Sequence, residues 1–288
     1  MKKFAVIDIG SNSVRLMFVA DGKVLYKAIN TTRLGEGLAQ TCRLKTEAIE
    51  RSALAVQQFL NRAIAEGAET VVAFATAAVR SAENGSAFVQ RVKELCGLTV
   101  EVIAGETEAE IGILGALGAQ DGAVLDIGGA STELVIKEHG ELRYKKSINI
   151  GVVRLKDKCG KDQNLLYSMS QAAVEEFGQV SLSTCLRAIG GTATTIAAQV
   201  LELPQYDSAK ITGAVIPLEK LEEKTQAWLT MPVEEIEKLP CMPKGRADVL
   251  AGGALLLITI MKKLGLQSFV ASDRDNLEGY AIKLGLME

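Results

Sequence analysis

The stretch Ala5–Lys27, AVIDIGSNSVRLMFVADGKVLYK, lies without gaps over Ala123–Lys145, AVLDIGGASTELVIKEHGELRYK. Ten of the 23 positions are identical, among them Asp8/Asp126, Ile9/Ile127, Gly10/Gly128, Ser13/Ser131 and Gly22/Gly140. Shared strand hydrophobicity alone does not produce this, because the polar turn positions repeat too. The spacing predicts two homologous halves that open on the same unit. In each copy an apolar strand ends in Asp, a Gly-rich turn follows, and a second strand runs Val14–Ala20 or Thr132–Lys137. Asp21-Gly22 and His139-Gly140 then read as tight hairpin turns into third strands at Val24–Lys27 and Leu142–Tyr144.

Outward from these units, helix and strand alternate. Helices are expected at Thr46–Glu66, Ser86–Cys96, Gly105–Leu117, Thr192–Leu201, Leu218–Leu229, Ala247–Leu264 and Asp275–Leu284. Strands are expected at Thr70–Ala75, Thr99–Ile103, Leu186–Ile189, near Ile211–Val215, and at Ser268–Ala271. Each half is therefore an α/β layer structure. The first is expected over 1–121 and the second over 122–272, joined tightly through Gly105–Leu117 because no linker is rich in Pro, Gly or Ser.

Composition narrows the function. With 48% apolar and 23% charged residues among 288, a disordered chain is excluded. A formal charge of −3 gives no whole-chain footprint for duplex nucleic acid. His139 is the one histidine, which rules out a multi-histidine metal site. Five scattered cysteines with no CxxC fit reduced thiols in a cytoplasmic protein. The apolar run Val249–Met261 is too short to span a bilayer, so no membrane partner is expected.

The turns carry the chemistry. In Asp8-Ile9-Gly10-Ser11-Asn12-Ser13, successive N–H groups can form a nest for anionic oxygens, and the polar side chains add donors. Asp126-Ile127-Gly128-Gly129-Ala130-Ser131-Thr132-Glu133 repeats the device. A single copy is equally well a hairpin whose Asp caps the turn. Two copies in register point to a cleft gripping a phosphate chain with a divalent cation, since Mg²⁺ favours one or two carboxylates plus phosphate oxygens and water. A third turn, Gly190-Gly191-Thr192, opens a helix whose first N–H groups would also face an anion, although a helix cap accounts for it equally well.

The ordered set DIGSNSVRL, RLGEGL (33–38), ATAAVRSAEN (75–84), VIAGETEAEIGILGAL (102–117), LDIGGASTELVI, AIGGTATT, KGRADVLAGG (244–253) and DRDNLEGY (273–280) resembles the Ppx/GppA phosphatase family. That family comprises exopolyphosphatases and guanosine pentaphosphate phosphohydrolases within the actin and sugar-kinase superfamily. The likeness runs over essentially the whole chain, in the short two-domain form. It implies two duplicated actin-like (ribonuclease H-like) lobes with an interdomain cleft, and a C-terminal helix, about 273–288, that packs back on the first lobe.

The resemblance also implies roles. The family's catalytic glutamate precedes an Ala just before the second phosphate loop, a position held here by Glu108, with Glu106 as the alternate. Arg80 would clamp phosphate, and Asp8, Asp126 and Glu133 would hold Mg²⁺ or its water shell. Thr107, Glu110 and Ala130 depart from the usual Glu, Arg and Gly, and the methyl of Ala130 requires a φ that alanine tolerates. The implied activity is release of terminal orthophosphate from inorganic polyphosphate. Guanosine pentaphosphate hydrolysis is the close alternative, and a superfamily kinase or a binding regulator without turnover are the distant ones. Arg33, Arg43, Lys145, Lys146, Arg154, Lys156 and Lys158 are candidates for a polyanion track. A homodimer stays open.

Overall fold

The computed structural model describes residues 2–160 and 162–287. The outer bounds expected for the lobes, Met1 and Glu288, lie outside the described residues. The chain begins β1 (Lys3–Ile9), β2 (Val14–Ala20), β3 (Lys23–Asn30), α1 (Leu38–Thr41), α2 (Thr46–Ala65), β4 (Thr70–Ala75), α3 (Ala77–Ser81), α4 (Gly85–Cys96), β5 (Val100–Val102) and α5 (Gly105–Leu117). It continues β6 (Gly122–Ile127), β7 (Thr132–Glu138), β8 (Glu141–Ile148), α6 (Val152–Cys159), α7 (Gln163–Glu175), β9 (Leu186–Ile189), α8 (Gly190–Val200) and α9 (Ser208–Ile211). The last elements are β10 (Val215–Pro217), α10 (Leu218–Thr230), α11 (Val233–Ile236), α12 (Ala247–Lys263), β11 (Ser268–Ala271) and α13 (Asn276–Lys283).

The two sheets repeat one plan. The first has the order β3-β2-β1-β4-β5, and the second β10-β11-β9-β6-β7-β8. In both, the first three strands are antiparallel and the fourth joins the first in parallel. This strand plan, repeated in both sheets, is the one expected for actin-like, ribonuclease H-like lobes. The hairpin turns are as the dipeptides predict: Asp21 and Gly22 have φ of 51° and 74°, and His139 and Gly140 have 55° and 79°. Positive φ at both central residues is what a type I′ turn requires.

The two-residue period of a strand decides where the repeated aspartates point. Ala5, Ile7 and Ile9 of β1 pack with α2, whereas Phe4 and Val6 pack with Leu277 and Tyr280 of α13. Asp8 shares the second face. In β6, Ala123, Leu125 and Ile127 join the core built on α8 and α12, and Val124 faces Ala109 and Ile113 of α5. Asp126 shares that face. Both aspartates therefore project toward the pair α5 and α13.

Two expectations are corrected. Ser208–Ile211 is a helical turn, capped by the Asp207 carboxylate accepting from Ala209 N–H at 3.0 Å, and the strand starts later, at Val215. Gly213, at φ 89°, turns the chain between them. Helix α8 starts at Gly190 rather than Thr192. Among the described residues no helix is long and apolar enough to cross a membrane.

Candidate active site

Each phosphate loop is a short turn whose carbonyls are tied off outward. Gly10 N–H donates to Ser13 O at 3.0 Å, and Gly128 N–H to Ser131 O at 2.9 Å. Ser11 O accepts from Gly35 N–H and Asn12 O from Arg33 N–H, both at 2.8 Å. In the second loop the first turn of α6 does this work, with Val152 N–H on Gly128 O at 3.0 Å and Val153 N–H on Gly129 O at 2.8 Å. The N–H groups of Ser11, Asn12, Ser13, Gly129, Ala130 and Ser131 donate to no group among the described residues. Free donors on a turn with satisfied carbonyls are what an anion nest needs. The loops face each other closely: a Cβ on Gly129 would lie 2.7 Å from Ser11 Cβ. Ala130 is buried and avoids positive φ, so its methyl is accommodated.

The cavity between the loops encloses about 90 Å³ of free space, lined by Asp8, Gly10–Ser13, Glu108, Asp126, Gly128–Ser131 and Gly190–Thr192, together with Arg15, Arg246 and Asn276. Thr132 does not line it; its hydroxyl donates to Ile150 O at 2.6 Å. Gly190 has φ 76°, and a Cβ there would press on Asp126 Oδ1. Only glycine meets both demands.

The carboxylates form one buried group. Cross-strand pairing sets Asp8 beside Arg15 and Asp126 beside Glu133, the same register in both lobes with opposite charge in the partner. Arg15 Nε donates to Asp8 Oδ2 at 3.0 Å, and the other end of the guanidinium pairs with Asp275. Glu133 Oε1 accepts from Ser147 Oγ at 2.6 Å. Burial pushes Asp126 up to about 8, with Arg15 opposing and Glu108, Asp275 and Asp8 adding to the rise. Burial also raises Asp8, against Arg15, and holds Glu133 well above the usual carboxylate range, aided by Glu108 and Asp126. Asp275 goes the other way: burial pushes it up, but Arg15, Lys27 and the Leu277 N–H outweigh burial.

Glu108 sits in the first turn of α5, buried, with Oε2 3.0 Å from Arg80 Nη1. Burial pushes it up to about 7 while Arg80 pulls it down. Arg80 also donates to Ile103 O at 2.8 Å, so it holds Glu108 in place rather than lining the cavity. Glu106 is exposed, away from this group. Glu110 pairs with Lys145 at 2.9 Å. The expected polyanion track is partly neutralised: Arg33 and Lys156 both pair with Asp248, and Arg43 with Glu83.

Sequence reasoning missed Arg15, Asn276 and Arg246. Arg246 caps α12 and lies against Gly191, where a Cβ would collide with its guanidinium. Its Nε is buried without a partner, and burial, with the neighbouring Arg15 charge, lowers it to about 10, still cationic at neutral pH. Its signal was an arginine beside Gly245 at a helix start, indistinguishable in sequence from a surface cap.

A divalent cation fits the donor set. Among the described residues no three His, Cys, Asp or Glu side chains form a protein-only cage. Asp8 Oδ1, Glu133 Oε2 and Asn276 Oδ1 are buried oxygens without partners. Asp8 and Asn276 line the cavity, and hard oxygens of this kind, completed by water, suit a cation such as Mg²⁺.

The sequence profile of the Ppx/GppA phosphatase family matches residues 16–285. Exopolyphosphatase 2 of Mycobacterium tuberculosis is 31% identical, with 99% of both chains aligned. A guanosine-5'-triphosphate,3'-diphosphate pyrophosphatase of Photobacterium profundum is 32% identical over 99% of this chain and 58% of its own length. Among solved structures, an exopolyphosphatase-like protein superimposes with a TM-score of 0.89 at 27% identity, covering 99% of each chain. The Aquifex aeolicus Ppx/GppA family member gives 0.79 at 28% identity, covering 99% of this chain and 98% of its own.

Proposed function

The chain belongs to the Ppx/GppA phosphatase family, and from that premise we propose that it releases terminal orthophosphate from inorganic polyphosphate, with Glu108 as the general base. The observation that carries this reading is a buried glutamate at about 7, beside two anion nests. At that value Glu108 is about half ionised at neutral pH, close to the best compromise between availability and basicity. Arg80 fixes its orientation and favours the charged form. The carboxylate takes the proton of a water positioned in line with the terminal phosphorus. The nests hold the non-bridging oxygens, and Arg246 and Arg15 offset charge on the phosphate chain.

Asp8 and Asp126 would hold Mg²⁺; Glu133 does not line the cavity and stands behind them as a neighbour of Asp126 and Glu108. The ion would neutralise phosphate oxygens. Guanosine pentaphosphate is the second reading, favoured by the guanosine-5'-triphosphate,3'-diphosphate pyrophosphatases among the relatives. The end-to-end match to an exopolyphosphatase supports polyphosphate over it. The five free cysteines suit a reducing cytoplasm. Phosphate release from polyphosphate, pentaphosphate nucleotide and ATP, with and without Mg²⁺, tests the proposal. Release from polyphosphate that depends on Mg²⁺ is expected, and no release at any chain length would overturn it.

A further inference from the structure

Helices α5 and α13 cross in backbone contact. A Cβ on Gly115 would collide with Asp275 O, and one on Gly279 with Ile111 O. The crossing sets the first turns of the two helices at the cleft. Helix α5 delivers Glu108 there, and α13 delivers Asn276, which is 3% exposed. Asn276 Nδ2 donates to Asp126 Oδ2 at 2.9 Å. This is the amide orientation that the ionised carboxylate requires, because that form only accepts. Asn276 Oδ1 has no hydrogen-bond partner and fits because position 112 is glycine, where a Cβ would lie 3.0 Å away.

Helix α13 is itself anchored to the first lobe. Arg15 pairs with Asp275, and Lys27 pairs with Glu278 at 2.8 Å. The capping box between Asp275 and Glu278 fixes the turn that carries Asn276. The amide thus reaches from an element held by the first lobe to the strand-end carboxylate of the second.

We propose that Asn276 is a positioning residue that aims the Asp126 carboxylate into the cleft, so that docking of α13 on the first lobe sets the competence of the second phosphate loop. The inference rests on the reading of Asp126 as a functional carboxylate. Outer hydrogen-bond partners of ligating carboxylates commonly matter about 10–100-fold in metal affinity or activity.

Asn276→Leu keeps the branched shape and the number of heavy atoms and removes both hydrogen-bonding ends. Three readouts are taken on full-length protein: polyphosphate turnover, Mg²⁺ affinity by calorimetry without substrate, and thermal unfolding. Turnover is expected to fall about 10–100-fold with polyphosphate KM within about threefold, and Mg²⁺ affinity to fall by a similar factor. The unfolding midpoint should stay near wild type. The deciding measurement is the cycle with Asp126→Asn. If Asn276 acts through Asp126, adding Asn276→Leu to Asp126→Asn costs nothing further. Additive losses, wild-type turnover in Asn276→Leu, or a loss that follows the unfolding midpoint would each overturn the proposal. A wild type that binds no Mg²⁺ would remove the cation from the account, and the cycle would still decide the role of Asn276.

Discussion

Glu106 and Glu108 differ by two positions on one helix turn, and that separates an exposed carboxylate from a buried one. Glu108→Gln keeps size but takes no proton at neutral pH, so turnover should fall about 10²–10⁴-fold, the usual worth of a general base. Polyphosphate binding should persist, because the nests and Arg246 are untouched. Glu106→Gln should change turnover less than about threefold, as expected for a solvated surface charge; equal losses in the two variants would signal a field effect instead. The pH profile adds a signature. A base works only when deprotonated, so kcat/KM should decline as pH drops through the value of about 7 to which burial raises Glu108. In Glu108→Gln that acid limb should disappear, and a limb retained unchanged would assign the titration to another group.

Where α5 meets α13, backbone contact replaces side-chain packing, and this makes a Gly-to-Ala comparison informative. Gly279→Ala drives a methyl into Ile111 O, a backbone atom that cannot swing aside. A loss of about 1–3 kcal/mol is expected from such overpacking. Gly252→Ala lies in the interior of α12, where the new methyl meets Leu166 Cδ1 at an ordinary 3.6 Å. There the gain in helix propensity, up to about 1 kcal/mol, should make the change neutral or stabilising. Urea melts of both variants check the sign, and destabilisation of both by the same amount would contradict the crossing geometry. The strands of the two repeats and their hairpins were legible because continuous apolar runs and turns ending in Gly are local signals. Helix α6 was not, because Arg154, Lys156 and Lys158 read as a charged track although Val152, Val153, Leu155 and Cys159 of the same helix are buried. Arg15 was hidden in the same way: its sequence position marks it as a strand residue, and only the return of Asp275 from 260 positions away makes it a bridge.

At the scale of the whole molecule, the cleft concentrates carboxylates whose ionisation the fold resists. Burial pushes Asp126 up to about 8 from an ordinary 3.8, and Glu108 up to about 7 from 4.5. Both values are raised, so between the ordinary and the folded value the native state holds protons that the unfolded chain has released. Stability from these groups is fully present at low pH and is lost as pH rises through the folded values. Asp275 has the opposite sign, with a carboxyl held below 3.8, so its contribution is lost only in stronger acid. From pH 5 to 8.5 in the presence of a chelator, the unfolding temperature should therefore fall, at about 2–4 °C per kcal/mol for a chain of this size class. Mg²⁺ should lessen the fall most at the alkaline end, because a cation bound to the native carboxylates replaces the protons as their counter-charge. Asp126→Asn should flatten the slope, since one of its strongly raised carboxyls no longer titrates. An unfolding temperature that climbed with pH over that range would mean these carboxylates are ionised in the resting protein, and the picture of a cleft awaiting its counter-charge would be wrong.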